Sequence, residues 1–166
     1  MRYFLMPDEV LKSVYDIDVH RLWGQGFRFM LLDLDNTLLP WNTYFVRGEL
    51  KEWFKKVRAV GFTCVIVSNN SHVRIAPVAS ELDVPFVENA GKPFRSSIAR
   101  AMNLIGAPRE QTLMVGDQLI TDILAGKSAK LYTILVSPIS EKEHKGTKIN
   151  RLVERMLLDG MGIKRP

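Results

Sequence analysis

One cysteine in 166 residues, Cys64, leaves this chain without an internal disulfide. A reducing setting is therefore expected, with stability drawn from packing alone. The three histidines, His20, His72 and His144, stand far apart and make no zinc-binding pattern. No apolar run approaches the ~20 residues of a membrane-spanning helix. Residues 1–7 are too short an apolar stretch, and lack the small-residue cleavage site, for a secretory signal. A cytoplasmic protein is expected, with any membrane contact peripheral. Repeats, low-complexity tracts and linkers are also missing, so one domain over residues 1–166 is expected.

Positive charge is present in excess, and it is unevenly placed. The net charge is +5, yet residues 1–126 carry 14 basic and 14 acidic side chains. The excess lies in residues 127–166, where Lys127, Lys130, Lys142, Lys145, Lys148, Arg151, Arg155, Lys164 and Arg165 face only Glu141, Glu143, Glu154 and Asp159. Such a segment favours an anionic neighbour, whether a lipid surface, RNA or an acidic protein. A solvated tail is the competing reading.

Short apolar runs alternate with helical patterns, as in a parallel sheet built from βαβ units. Strands are expected at residues 27–34, 62–67, 84–87, 112–115 and 131–136. Residues 48–60 place Leu50, Trp53, Phe54 and Val57 at helical spacing. Further helices are expected at 71–82 with Ser71 as N-cap, at 94–105 behind Pro93, and more briefly at 120–126. Residues 137–148 look like an exposed loop. Beyond it, Ile149, Leu152, Val153, Met156 and Leu157 form one apolar stripe of a C-terminal helix. That stripe is expected to dock on the sheet, as are Phe4, Leu5, Val10, Leu11 and Val14, although it also suits a lipid interface.

Four short pieces occupy the strand ends and helix starts: Asp33-Leu34-Asp35-Asn36-Thr37, Ser68-Asn69-Asn70, Lys92, and Gly116-Asp117 with Asp122. Open α/β sheets bind ligands at that edge. Asp33 and Asp35 share a face of an extended strand. Two such carboxylates repel unless a cation bridges them or one keeps a proton. One can attack phosphorus while the other protonates the leaving oxygen and then activates water. Asp33, Asp117 and Asp122 offer the hard oxygen ligands that Mg²⁺ takes. Ser68 and Asn69 lie where a hydroxyl and helix N-terminal amides bind phosphate. Lys92 is placed to neutralise charge that builds on a transferring phosphoryl group. Each piece alone also suits an ordinary cap or loop; their order along the chain is the signal. Trp41 could rim the entrance and Arg74 could add a phosphate contact, although a packing or surface role is the expected reading of both.

This set resembles the haloacid-dehalogenase (HAD) superfamily of phosphatases, through D-x-D-x-T at Asp33 to Thr37, the serine after an apolar run at Ser68, Lys92, and G-D-x-x-x-x-D from Gly116 to Asp122. The resemblance implies a Rossmann-like sheet without a cap domain, Asp33 as nucleophile and Asp35 as general acid and base. It implies that Ser68, Asn69 and Lys92 bind the phosphoryl group. Mg²⁺ would be held by Asp33, the Asp35 carbonyl and Asp117, with Asp122 assisting. Tyr15-Asp16-Ile17-Asp18, the run from Asp35 to Trp41, Ser68-Asn69-Asn70 and the run from Gly116 to Asp122 are similar to the YqeG-type branch of subfamily IIIA. That branch is related to mitochondrial phosphatidylglycerophosphatase, which implies a lipid phosphate as substrate.

The gaps between motifs leave room for no lid domain, so the site is expected to be open and to suit a phosphate on something large. Two alternatives compete: a phosphatase of soluble sugar or nucleotide phosphates, and a non-catalytic module partnering a GTPase or ribosomal component.

Overall fold

The computed structural model describes residues 5–140 and 156–166. Its elements run β1 (Glu9–Leu11), α1 (Val19–Gly24), β2 (Phe29–Leu32), α2 (Gly48–Val60), β3 (Thr63–Val67), α3 (His72–Leu82), β4 (Phe86–Val87), α4 (Arg95–Leu104), β5 (Thr112–Gly116), α5 (Leu124–Ser128) and β6 (Tyr132–Val136). The strands form one sheet in the order β1-β6-β5-β2-β3-β4, and every pairing is parallel. This is the parallel βαβ sheet that the alternating pattern predicts, in the Rossmann-like α/β form that the resemblance implies.

The sheet is buried on both sides because its central strands are apolar at successive positions. In β2, Met30 and Leu32 pack into one core with α2 and α3, through Leu50, Phe54, Ile75 and Val78. Leu31, between them, points the other way and meets Ile98 and Ala101 of α4 and Ala125 of α5. Period-two alternation in the strand thus becomes a two-faced core.

The chain runs outward from β2 through β3 to β4, then returns to the other side of β2 for β5 and β6. Strand order therefore reverses between β2 and β5, whose C-terminal ends open the crevice in which such sheets bind ligands. Only a loop and α2 stand between β2 and β3, and only α3 between β3 and β4. Among the described residues, no inserted domain covers that edge.

Three elements differ from the sequence expectation. β1 is an unexpected edge strand, too short for a periodicity to register, and it is tied to β6 by Asp8, which accepts from Thr133 N and Oγ1 at 2.7 and 3.0 Å. α1 was also unforeseen; the Asp18 carboxylate caps it by accepting from Arg21 N at 2.9 Å. The expected helix at 120–126 is instead a wide π-helical turn, Leu119–Ile123, followed by α5. Such turns recur at functional sites.

Of the apolar stripe expected near the C-terminus, Ile149, Leu152 and Val153 lie outside the described residues, as do residues 141–148 of the expected loop and Phe4. Met156 is exposed, while Leu157 and the unforeseen Leu158 pack against Leu119, Ile123 and Leu135. Val10, Leu11 and Val14 join the cores as expected. Among the described residues, no helix is long and apolar enough to cross a membrane.

Candidate active site

Asp33 follows β2 and Asp117 follows β5, so the reversal in strand order brings their buried carboxylates to one crevice. The π-helical turn after β5 rotates Asp122 back toward the same point. Its Oδ2 accepts from Gln118 N at 3.0 Å. Gly116 is required there: a Cβ would run into the Asp122 carboxyl group. Carboxylate oxygens of Asp33, Asp117 and Asp122 all lie within 4.8 Å of one another. Thr37 Oγ1 donates to Asp117 Oδ1 at a long 3.4 Å.

Lys92 enters from the turn before α4. Its Nζ lies 2.6 Å from Asp33 Oδ1 and 2.8 Å from Asp122 Oδ1. The second contact is an ion pair poorly aligned for a hydrogen bond. Burial works against the Lys92 ammonium, but Asp122 and Asp33 outweigh it and hold the pKa above its ordinary value. For Asp33, burial is the largest influence. Lys92 pulls the other way, while Asp122 and Asp35 add repulsion, and the carboxyl is pushed up to about 7. The three buried carboxylates of Asp33, Asp117 and Asp122 bring hard oxygen atoms to one point, a set that could hold a cation.

Asp35 faces a different set of groups. Arg74 Nη2 donates to its Oδ1 at 2.6 Å, and Asn70 Nδ2 donates to its Oδ2 at 2.5 Å. The Asp35 side chain thus stands apart from the acidic triad, on the β3 side of the crevice. Asn36 takes a left-handed φ of 64°, which asparagine tolerates, and turns the chain sharply between Asp35 and Thr37. Trp41 N and Ser140 Oγ both donate to Asn36 Oδ1, at 3.2 and 2.9 Å, and hold that turn.

Ser68 is buried at the end of β3, and its Oγ accepts from Asn70 N at 3.2 Å. Asn69 reaches across to the turn that carries Lys92. Its Oδ1 accepts from Lys92 N at 2.8 Å and its Nδ2 donates to Lys92 O at 3.1 Å. The side-chain amide of Asn69 is thus occupied with the backbone of the neighbouring motif. Arg165, near the C-terminus, donates to the Asp117 carbonyl at 2.9 Å.

Over 161 residues the chain is 34% identical to the Bacillus subtilis protein named probable phosphatase YqeG, covering 97% of this chain and 94% of that one. The chain belongs to the HAD phosphatases of the YqeG type. A HAD-hydrolase-like family profile matches residues 89–151. The Arabidopsis thaliana phosphatidylglycerophosphate phosphatase 1 is 24% identical over 86% of this chain, which spans 43% of that protein. Among solved structures, the cobalt-bound deoxy-D-mannose-octulosonate 8-phosphate phosphatase of Haemophilus influenzae superposes with a TM-score of 0.53 at 16% identity. It covers 83% of this chain and 91% of that one, and it shares the fold.

This HAD phosphatase thus brings Asp33, Lys92, Asp117 and Asp122 into one cluster and sets Asp35 beside it. Two residues escaped the sequence reading. Arg74 reads there as packing or surface, yet its guanidinium is buried against Asp35 and stacked at 5.0 Å over the Tyr44 ring. A charged side chain on the same helical stripe as Ile75 and Val78 was the available signal. Asn70 carried none, because its role depends on how the loop after β3 meets the loop after β2.

Proposed function

We propose that this phosphatase is a Mg²⁺-dependent phosphomonoesterase, folded as one domain, that works through a phosphorylated Asp33 and takes phosphatidylglycerophosphate as substrate. The observation that carries the chemistry is the Asp33 carboxylate, held against Lys92 at 2.6 Å in a buried acidic crevice at the point where strand order reverses. The three clustered carboxylates of Asp33, Asp117 and Asp122 are hard donors close to one another, and they suit Mg²⁺. The Asp35 carbonyl is a further oxygen on the same loop. When bound, the cation supplies charge neutralisation at the phosphoryl oxygens.

The residues then divide the work. An Asp33 carboxylate oxygen attacks phosphorus, and the bond from phosphorus to the alcohol oxygen breaks. Asp35, as general acid, passes a proton to the departing oxygen. It then takes a proton from water, which attacks phosphorus and breaks the acyl-phosphate bond, returning Asp33 and free phosphate. Lys92 and Ser68 bind the phosphoryl oxygens, Lys92 countering the charge that builds there. Asn69 serves this step through Lys92, whose backbone it holds. Asn70 and Arg74 fix the orientation of Asp35.

The lipid substrate is supported by the likeness to a protein named phosphatidylglycerophosphate phosphatase, and by an edge that no inserted domain covers among the described residues. The deciding experiment measures phosphate release from phosphatidylglycerophosphate in mixed micelles beside soluble phosphate esters, with and without Mg²⁺. Strong Mg²⁺-dependent preference for the lipid is expected. Turnover of soluble esters alone would overturn the substrate assignment, and inactivity on both would overturn the catalytic one.

A further inference from the structure

Among the described residues, the three most exposed large apolar side chains are Val73, Phe45 and Phe94, at 75%, 72% and 71% exposure. They come from three separate segments. Phe45 lies in the loop between β2 and α2, Val73 in the first turn of α3 behind β3, and Phe94 immediately before α4, behind β4. In an all-parallel sheet every such segment sits at the carboxyl ends of the strands. The three side chains therefore share the edge that carries the catalytic crevice.

Contacts within the site tie them to its mouth. The Arg74 guanidinium over the Tyr44 ring joins the Phe45 loop to the first turn of α3. The Lys92–Asp33 pair draws in the turn that bears Phe94. Ile139, also exposed, donates its N–H to the Asn36 carbonyl at 3.0 Å and adds an apolar group beside the catalytic loop.

Exposed cations accompany these tips. Arg47 follows Phe45 by two residues, and Arg95 adjoins Phe94. Of the acids at this edge, Glu88 is paired with His72 at 2.8 Å and Glu49 lies in the first turn of α2. The apolar tips stand on separate segments and are flanked by arginines. A fluid bilayer accepts them individually, the apolar ends entering the acyl boundary and the guanidinium groups meeting anionic headgroups.

We propose that the rim formed by Phe45, Val73 and Phe94, with Arg47 and Arg95, docks the catalytic edge on an anionic bilayer and aims the crevice at a lipid phosphate. The inference rests on the phospholipid reading above. This rim stands apart from the basic C-terminal segment, of which residues 141–155 lie outside the described residues. In that segment Lys127 is paired with Asp8 at 2.6 Å, Arg165 is turned toward the Asp117 carbonyl, and Leu158 is buried.

The test is co-sedimentation of the full chain with vesicles of phosphatidylcholine alone, or of phosphatidylcholine with phosphatidylglycerol. No phosphatidylglycerophosphate is present, so docking is scored independently of the substrate assignment. The wild type is expected to bind the anionic vesicles and to lose binding as salt rises. The triple variant Phe45→Ser, Val73→Ser, Phe94→Ser is expected to bind them about tenfold more weakly or worse, since three apolar tips no longer leave water. Arg47→Ser with Arg95→Ser should narrow the difference between anionic and neutral vesicles. Unchanged turnover of a soluble phosphate ester by the triple variant is the check on its fold. Equal vesicle binding by wild type and triple variant, or no binding by the wild type at low salt, would overturn the proposal.

Discussion

Asn69 grips the backbone of Lys92 from both sides, accepting from its N–H at 2.8 Å and donating to its carbonyl at 3.1 Å. One amide side chain at the end of β3 thus sets where the Lys92 ammonium stands against Asp33. Displacing a catalytic group by about 1 Å can reduce rate a hundredfold. Asn69→Ala is therefore expected to lower kcat by about tenfold to a hundredfold while far-UV circular dichroism stays native. A kcat equal to wild type would remove Asn69 from the positioning of Lys92.

Arg74 and Asn70 hold the two oxygens of Asp35. In Arg74→Ala, Asp35 keeps only its bond to Asn70, and turnover is expected to drop by about tenfold or more. Arg74→Lys, which retains charge without the planar fork, should recover part of that loss. Within the described residues, Nε and Nη1 of Arg74 have no hydrogen-bond partner. Removing the guanidinium leaves the largely buried Asp35 carboxylate without its cation, so Arg74→Met is expected to lower the melting temperature as well as turnover, whereas Arg74→Lys should keep most of the stability. Thermal melts beside steady-state kinetics separate the two effects.

The acidic cluster predicts a metal effect that needs no substrate. A cation that binds only the folded chain raises its melting temperature as concentration passes Kd. Mg²⁺ is expected to raise the melting temperature of the wild type, and Asp117→Asn should abolish most of that shift. Asp33→Asn should reduce turnover by about a thousandfold or more. A wild-type melting temperature indifferent to Mg²⁺ would argue against a cation at this cluster.

Burial pushes the Cys64 thiol up to about 12, from an ordinary value of 9.0. A thiol with a higher pKa in the folded protein than in the unfolded chain holds its proton more tightly when folded. Its contribution to stability is complete below pH 9 and disappears as pH climbs toward 12. The decline in melting temperature over that window should be shallower in Cys64→Ala than in wild type. Alkylation of native protein near neutral pH should be slow and should accelerate on unfolding.

Long apolar strands were legible because burial on both faces writes a continuous hydrophobic run into the chain, as in β2, β3 and β5. Helix α2 was legible because Leu50, Trp53, Phe54 and Val57 repeat at helical spacing on one buried face. β1 was not, since three half-buried residues at a sheet edge carry no periodicity. Nor was the docking of Leu158, which depends on a surface made by Leu119, Ile123 and Leu135.

The sequence by itself determined the βαβ order and the placement of Asp33, Ser68, Lys92 and Asp117 at strand ends or helix starts, because hydrophobic period and chain direction are local properties. Only the tertiary structure decided who meets whom. Lys92 reaches Asp33 across 59 residues because β2 sits between β3 and β5. Asn69 turns to the Lys92 backbone, and Arg74 faces Asp35, because loops from neighbouring strands converge at one edge. Such pairings are set by strand order and helix rotation, which no single segment encodes.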